Sequence, residues 1–362
     1  PPSGFVALCT SNLQDITIGP GQSSQAGDHF NTVLYTGNGG TQDIDTGLAP
    51  DWVWIKSRSA TYDHVLYDSV RGATKRLKAN TTDAESTAST AVTAFNSSSF
   101  SLGSGSSSNL NTGTYVSWNW KAGTSFSNDA SATSVGTIDS TGTVNTDAGF
   151  AIISYTGTGS AGTIAHGLGT VPKFYVVKNR GDAGTNWQAY HGAAASDPET
   201  DYIYLNSSAA LDDADDWNDT APTSSVFSVK THNQVNASGD TYIAYLFSEI
   251  EGYSKFGKFT GNGADDGPFV YTGFRPAWVM TKRSDSSAEW HIMDDKRNPF
   301  NLMDGLLFAD GTYAESSDAA YGRDFLSNGF KIRGSEAYVN ASGGTFIYLA
   351  FANNPFKFGT AF

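Results

Sequence analysis

The sequence predicts an all-β protein of three tandem antiparallel β-sandwich repeats, jelly-roll-like and about 100 residues each. Three observations predict this class. A short glycine motif occurs three times, an apolar run that begins with proline follows each copy, and an aromatic run closes each unit. Aromatic residues make up 13% and charged residues only 16% of the 362 residues. This composition favours short strands joined by many turns over helices.

The glycine motif opens each repeat. Its copies are Tyr35–Gly39, Tyr155–Gly159 and Phe259–Gly263. No helical pattern follows any copy, so the motif does not indicate a dinucleotide-binding site. It predicts a tight turn that uses the positive φ angles open to glycine.

The two longer runs predict strands. The proline-led run Pro50–Lys56 is apolar on both parities, as expected of an inner strand that is covered on both sides. In the closing run of the first repeat, Trp118 and Trp120 share an apolar face. Ser117 and Asn119 occupy the opposite parity, so we expect that face to be wetter.

The repeats divide the chain into five segments. They are 1–29, the end of a preceding domain with a linker; 30–123, the first repeat; 124–149, a Ser/Thr/Gly-rich linker; 150–252, the second repeat; and 253–362, the third repeat. Because the second and third repeats adjoin almost without a linker, we expect a fixed interface there and more freedom at the first junction.

Charge and hydropathy exclude two classes of partner. The formal net charge is -14, whereas a nucleic-acid partner requires clustered Lys and Arg. No apolar run approaches the 18 or more residues that a membrane-spanning helix needs. We therefore predict neither nucleic-acid binding nor membrane insertion.

Histidines offer no catalytic constellation. His64, His191 and His291 all fall near the middle strand of their repeats, but they occupy different columns when the repeats are aligned. A catalytic histidine needs a fixed acid or nucleophile partner, and here the neighbours change at each copy. We therefore predict structural or surface histidines, no catalytic or cofactor-binding residues, and no enzyme activity.

Carboxylates are the other candidates for chemistry. They form two groups along the chain, a cluster of aspartates and a pair of glutamates. Neither group resembles the paired acids of glycosidases. Calcium is an open alternative for the aspartate cluster because carboxylate oxygens are its ligands, but the spacing and glycine of an EF-hand loop are missing. We assign no metal ligand and favour a solvated acidic loop. The groups are Asp212, Asp213, Asp215, Asp216 and Asp219, and Glu249 with Glu251.

Recognition of a ligand is expected at loops and at exposed aromatic rings. Trp187, Trp217 and Trp290 would serve as sugar-stacking platforms if they were exposed; for the two that lie in an alternating strand, core burial is favoured. The loops that differ most between copies are the predicted contact surfaces. These loops are Ser57–Asp63, Arg180–Asn186, Asp197–Asp201, Leu211–Thr220 and Arg297–Asp304.

Several strings of this sequence resemble a repeat domain in fibre-like virion proteins of marine tailed bacteriophages, including phages of cyanobacteria. The resemblance spans about residue 30 to the C-terminus. Residues Pro1–Leu13 look similar to the end of a concanavalin-like or SPRY-like domain that often precedes this repeat, which makes a longer parent polypeptide the expectation. The strings are Phe30–Gly39, Pro50–Arg58, Asp68–Gly72, Asn80–Glu85, Phe269–Pro276 and Gly344–Phe356.

The resemblance implies a non-enzymatic virion structural protein, a tail-fibre or adhesin segment that contacts the host cell surface. Its partners would be other virion proteins and a host glycan or protein, and its location extracellular, on the tail fibre or the capsid surface. A capsid decoration or head-fibre protein is the first alternative, and a polysaccharide depolymerase is the second. Fibres are often trimers, so a homotrimer and a monomer both stay open.

Overall fold

The computed structural model describes residues 17–19 and 22–352. This part of the chain is built from antiparallel sheets, which confirms the predicted all-β class. The predicted end of a preceding domain, Pro1–Leu13, lies outside the described residues. None of the helices in the described ranges is long and apolar enough to cross a membrane.

The first sandwich contains nine strands and one short helix. They are β1 (Phe30–Thr36), β2 (Gln42–Asp45), β3 (Trp52–Ser57), β4 (Val65–Asp68), β5 (Lys75–Lys78), β6 (Ser86–Thr87), β7 (Val92–Phe95), β8 (Ser99–Leu102), α1 (Ser106–Asn109) and β9 (Thr114–Trp120). The large sheet has the order β1-β9-β3-β4-β5-β6, and the small sheet has the order β2-β8-β7.

The second sandwich begins inside the segment that we expected to be a linker. Its elements are β10 (Thr124–Asn128), α2 (Ala130–Thr133), β11 (Ser140–Asn145), β12 (Phe150–Thr156), β13 (Gly162–Ala165), β14 (Pro172–Asn179), β15 (Gln188–His191), β16 (Asp201–Tyr204), β17 (Asp212–Asp213), β18 (Val226–Val229) and β19 (Thr241–Ser248), with 3-10 helices at Pro198–Thr200 and Asp215–Trp217. The large sheet has the order β10-β11-β12-β19-β14-β15-β16-β17, and β13 pairs with β18.

The third sandwich repeats the strand order of the first. Its elements are β20 (Ser254–Thr260), β21 (Phe269–Tyr271), β22 (Pro276–Arg283), β23 (His291–Asp294), β24 (Gly305–Phe308), β25 (Ser316–Ser317), β26 (Arg323–Leu326), β27 (Gly329–Ile332), α3 (Ala337–Asn340) and β28 (Thr345–Ala352), with a 3-10 helix at Ala319–Tyr321. The large sheet is β20-β28-β22-β23-β24-β25, and the small sheet is β21-β27-β26.

Residues 124–149 therefore extend a sheet instead of only connecting two domains. Strand β10 pairs with β11, and β11 pairs with β12. Composition alone pointed to a linker because Ser, Thr and Gly dominate this segment. Two features order it locally: the Asp129 carboxylate caps α2, and the side chains of Ile138 and Val144 are buried.

The closing strands are covered on both faces, which corrects the expectation of a wetter face. Strand β9 lies between β1 and β3, and Ser117 and Asn119 are both fully buried. The Asn119 amide donates hydrogen bonds to the Asn31 carbonyl at 3.0 Å and to Ser117 Oγ at 3.1 Å. The small sheet covers this side, and the hydrogen bonds of the Asn119 amide N–H groups compensate part of the cost of burying these polar side chains.

The opposite, aromatic face of each closing strand packs into one core that all three sandwiches share. Trp120, Phe247 and Phe351 close strands β9, β19 and β28 and meet as a triangle. Their ring centroids are 6.3 Å apart for Trp120–Phe247, 5.7 Å for Trp120–Phe351 and 5.6 Å for Phe247–Phe351. Such aromatic pairs bury large apolar areas in specific geometries, so the first sandwich contacts the third and the three form a closed ring.

The structure shows why the opening motif of the first repeat needs its two glycines. A side chain at Gly37 would place Cβ 2.2 Å from the Leu110 carbonyl oxygen, and Gly39 has a φ of +68°. The buried Asn109 amide accepts a hydrogen bond from the Asn38 backbone N–H at 2.9 Å. Sequence reasoning found the turn but missed the asparagine that fixes it.

The lysine at the end of each proline-led strand reaches the neighbouring sandwich. We call the interface between two sandwiches a junction. Each ammonium donates a hydrogen bond to a backbone carbonyl across a junction. Burial lowers the pKa of all three lysines to about 8. The pairs are Lys56 to Thr312 at 3.2 Å, Lys178 to Thr82 at 3.5 Å and Lys282 to Ser208 at 2.8 Å.

Candidate functional site

The strongest candidate for a binding site is a surface cleft of about 700 Å³ on the third sandwich. Polar groups of four kinds face it: carboxylates, an amide, a guanidinium and a hydroxyl. Small apolar side chains form the remainder of the wall. The lining residues are Asp265, Asn301, Leu302, Ala319, Ala320, Asp324, Arg333 and Ser335.

The polar wall of the cleft is set by the hairpin of β26 and β27. Asp324 lies on β26, Arg333 follows β27, and Arg333 Nε lies 3.3 Å from Asp324 Oδ2. Lys331 Nζ lies 2.8 Å from Asp266, and this hydrogen bond lowers the pKa of Asp266. The wall therefore presents fixed charges of both signs, an arrangement that suits a polar ligand.

The loop between β23 and β24 forms another part of the cleft. Asn301 is held by the backbone of β26: its amide donates to the Phe325 carbonyl at 3.1 Å and accepts from the Phe325 N–H at 2.9 Å. Phe300 precedes it, and 82% of its surface is exposed. This loop belongs to the predicted contact segment Arg297–Asp304.

Exposed aromatic rings are confined to the third sandwich within the described ranges. An exposed ring gives up apolar burial and offers a flat face for a ligand. Sequence reasoning missed them, although an alignment of the repeats carries the signal. Phe269 and Tyr271 on β21 stand where β2 has aspartates, so they are not part of the shared scaffold. The exposed rings are Phe269, Tyr271, Phe300, Tyr313 and Tyr338.

The tryptophans proposed as sugar platforms lie in the interior. Trp187, Trp217 and Trp290 are all fully buried. Two of them also form hydrogen bonds across junctions: Trp187 Nε1 donates to the Lys78 carbonyl at 2.8 Å, and Trp290 Nε1 donates to the Tyr204 carbonyl at 2.9 Å. A buried indole cannot stack on a sugar, so these residues do not form the recognition surface.

Two of the predicted contact loops form ion pairs across the junctions. In Ser57–Asp63, Arg58 forms an ion pair with Glu315 of the third sandwich. In Arg180–Asn186, Arg180 Nε pairs with Glu85 of the first sandwich at 2.9 Å. We expected these loops on the surface because their sequences differ between the copies. In the structure, each loop instead contacts a different residue across its junction.

The three candidate histidines are all buried, and none of them lines the cleft. Trp54 Nε1 donates to His64 Nδ1 at 2.8 Å, and His191 Nε2 donates to the Tyr348 carbonyl at 3.1 Å. Burial lowers the pKa of His191 to about 4 and the pKa of His64 and His291 well below the ordinary value. They are neutral core residues at pH 7.

The acidic segment does not gather its carboxylates around one point. Asp215 forms an ion pair with Lys230. Asp216 is buried, accepts a hydrogen bond from Gln188, and lies 2.9 Å from the His232 ring. Within the part of the chain that the structure describes, no group of three or more His, Cys, Asp or Glu side chains is arranged to hold a metal ion.

A family model described as a domain of unknown function, DUF7483, matches residues 25–355. The match covers all three sandwiches. No curated protein and no solved structure matches the chain.

Proposed function

The chain belongs to the DUF7483 family, whose description assigns no function, and from the geometry we propose a non-enzymatic binding protein that recognises a glycan on a host cell surface. In this proposal it is an extracellular segment of a virion tail fibre or adhesin, joined to other virion proteins. The observation that carries the proposal is that, among the described residues, exposed aromatic rings occur only on the third sandwich, where Phe300 precedes two residues of the polar cleft.

The chemistry of this surface fits a sugar. A pyranose ring has an apolar face that stacks on an aromatic ring and a rim of hydroxyl groups that pairs with carboxylates, amides and guanidinium groups. Phe300 supplies an exposed ring, and Asp324 and Arg333 supply the polar partners. The first two sandwiches serve as a rigid support that holds this surface away from the remainder of the particle.

Binding of the purified protein to host cells and to a broad glycan panel tests the proposal. We expect Phe300→Ala and Arg333→Ala each to weaken binding about tenfold, which corresponds to about 1.4 kcal/mol for a contact residue. Matched controls lie on the other sandwiches. Leu110→Ala removes an exposed apolar side chain of the first, and Lys230→Ala removes a charge that follows β18 as Arg333 follows β27. Both controls should bind normally.

Other outcomes would redirect the proposal. Loss of binding in the control variants as well would place the contact elsewhere. Binding to purified virus particles but to no cell or glycan would favour a capsid decoration protein. Release of reducing ends from host polysaccharide would contradict the non-enzymatic assignment and favour a depolymerase.

A further inference from the structure

The interior of the first sandwich sets a reference for the other two. Ile55 on β3 faces Val65 on the paired strand β4, and Val92 begins β7 of the small sheet opposite. All three side chains are fully buried. The space between the two sheets is therefore apolar at these three positions, as a packed core usually is.

The corresponding positions of the third sandwich are polar. Thr281 on β22 faces His291 on β23, and Arg323 begins β26, where it pairs with Ile332. Thr281 is 1% exposed, and His291 and Arg323 are 0% exposed. An arginine is almost never fully buried unless it has a partner of opposite charge.

Arg323 has no carboxylate partner among the described residues. Its Nη2 donates to Thr281 Oγ1 at 2.6 Å, but its Nε and Nη1 have no hydrogen-bond partner in the described part of the protein. Burial lowers the pKa of Arg323 to about 9, so the guanidinium is still charged at pH 7. A buried positive charge with two unpaired donors is strongly unfavourable unless a negative group compensates it.

His291 adds a second incomplete polar group at the same place. Both of its ring nitrogens are buried without a hydrogen-bond partner in the described residues. The ring is enclosed by Tyr321, stacked at 5.4 Å, and by Phe308, edge-on at 5.0 Å. Since His291 and Arg323 both adjoin Thr281, their free donors belong to one enclosed region.

In the second sandwich, a carboxylate compensates the buried polar side chain at this position. Gln188 stands at the position of His291, opposite Val177 on the paired strand. It donates to the buried carboxylate of Asp216, which also contacts His232. A polar residue between the sheets is thus accompanied by a negative group there, and the third sandwich supplies none from its described residues.

We infer that the third sandwich binds a small inorganic anion, of which chloride is the type, between Arg323, His291 and Thr281. The anion would accept hydrogen bonds from the guanidinium and from an imidazole N–H, and it would neutralise the buried charge. Full burial of all three side chains favours a monatomic anion over a carboxylate or phosphate ligand, which would need a path to solvent. The side chains of this site do not line the surface cleft, and the inference does not depend on the function of the cleft.

Thermal unfolding at constant ionic strength tests the inference, with sodium chloride against sodium gluconate. At a chloride concentration ten times the Kd, we expect Tm to rise by roughly 3 °C relative to gluconate. Two variants should lose this response. One is Arg323→Val, and the other is the triple variant Thr281→Ile/His291→Val/Arg323→Val, which has the side chains of the first sandwich at these positions. Lys296→Val removes an exposed positive charge from the same sandwich and should retain it.

A bromide-soaked crystal provides a second readout that needs no variant. We expect an anomalous peak within hydrogen-bond distance of Arg323 and His291. Equal Tm in chloride and gluconate together with no peak would overturn the inference, as would a chloride response that survives Arg323→Val. If the variants fail to fold, the wild-type comparison and the bromide peak decide the question.

Discussion

Two of the three junctions bury an arginine–aspartate pair, whereas the junction between the second and third sandwiches has neutral residues at the corresponding positions. Between the first and second sandwiches, Arg71 Nε lies 2.5 Å from Asp68. Tyr245 of the second sandwich donates to the same carboxylate at 2.6 Å. Glu85 joins Arg71, at 3.2 Å, to Arg180 across the junction. We had expected this junction to have more freedom than the next, yet it carries the larger charged network.

The junction between the third and first sandwiches repeats this network with different partners. Arg297 Nε donates to Asp294 at 2.6 Å, and Trp118 of the first sandwich donates to the same carboxylate at 3.1 Å. Glu315 lies 4.0 Å from Arg297 and forms an ion pair with Arg58 across the junction. The two charged junctions therefore have the same arrangement: a buried arginine–aspartate pair, a hydrogen-bond donor from the neighbouring sandwich and a glutamate that pairs with an arginine across the junction.

The junction between the second and third sandwiches, called neutral for these positions, keeps the geometry without the arginine–aspartate pair, and its own ion pair joins Lys255 to Glu249. His191 and Ala194 stand where the aspartate and arginine stand elsewhere, and Leu211 and Ser284 replace the bridging glutamate and arginine. The backbone N–H of Leu211 still donates to the Ser284 carbonyl at 2.9 Å. Closure of the ring at this junction thus needs no buried arginine–aspartate pair, which is an addition at the other two junctions.

The largest effect is expected from breaking a charged junction. Arg71→Ala leaves the Asp68 carboxylate buried without its cation, and we expect the free energy of unfolding to fall by about 3–5 kcal/mol. The double variant Asp68→His/Arg71→Ala copies the neutral junction and should lose less, because no buried charge is left unpaired. Urea denaturation measures both. A loss below about 1 kcal/mol in the single variant would show that the pair is dispensable.

The neutral junction should respond to pH in a different window. The folded-state pKa of His191 is about 4, below its unfolded value of about 6.5. The unfolded chain therefore binds the proton first, and stability is lost as pH falls from about 6.5 towards 4. Between pH 7.5 and 5 we expect this group to cost about 2 kcal/mol. His191→Asn should reduce the loss by that amount in denaturation curves at the two pH values.

The charged junctions provide the contrast for this pH experiment. Hydrogen bonds and charges from Arg180 and Arg71 outweigh burial and lower the pKa of Glu85. Its stabilisation is present above the ordinary pKa of a glutamate, about 4.3, and is lost only as pH falls below that value. Glu85→Gln should therefore leave the loss between pH 7.5 and 5 unchanged. An equal reduction in both variants would contradict the assignment of this window to His191.

The smallest effect is expected from adding charge to the neutral junction. Leu211→Glu/Ser284→Arg installs the bridging pair of the other junctions, and we expect the free energy of unfolding to change by less than about 1 kcal/mol. A partly exposed ion pair contributes little, and the burial of Leu211 is lost. Denaturation of the double variant and of each single variant measures the coupling. A gain of several kcal/mol would mean that charge controls closure after all.

Much of the architecture could be predicted from the sequence. The alternating run through Trp118 and Trp120 identified the aromatic face of β9, and the proline-led run identified β3 as an inner strand. Both depend on local periodicity, which the sequence displays directly. The partner of each face could not be predicted, because an apolar stripe looks the same whether it meets a small sheet or another sandwich.

The candidate site was only partly predictable for a related reason. The segment Arg297–Asp304 was expected to be a contact loop, and it contributes Asn301 and Leu302 to the cleft. The tryptophans were considered as platforms because ring chemistry suits a sugar, but exposure depends on which sheet packs above them. Phe300 is exposed and Trp187 is buried for reasons that no local pattern records.

By itself, the sequence determined the all-β class, the turn at each glycine motif and the aromatic face of the closing strands, since these follow from backbone sterics and from the two-residue period of a strand. Tertiary structure alone decided that the three sandwiches close around Trp120, Phe247 and Phe351, that polar residues meet between the sheets of the third sandwich, and that Phe300 is exposed on the loop that lines its cleft. The contacts among Trp120, Phe247 and Phe351 join residues more than a hundred positions apart, and only the packed chain brings them together.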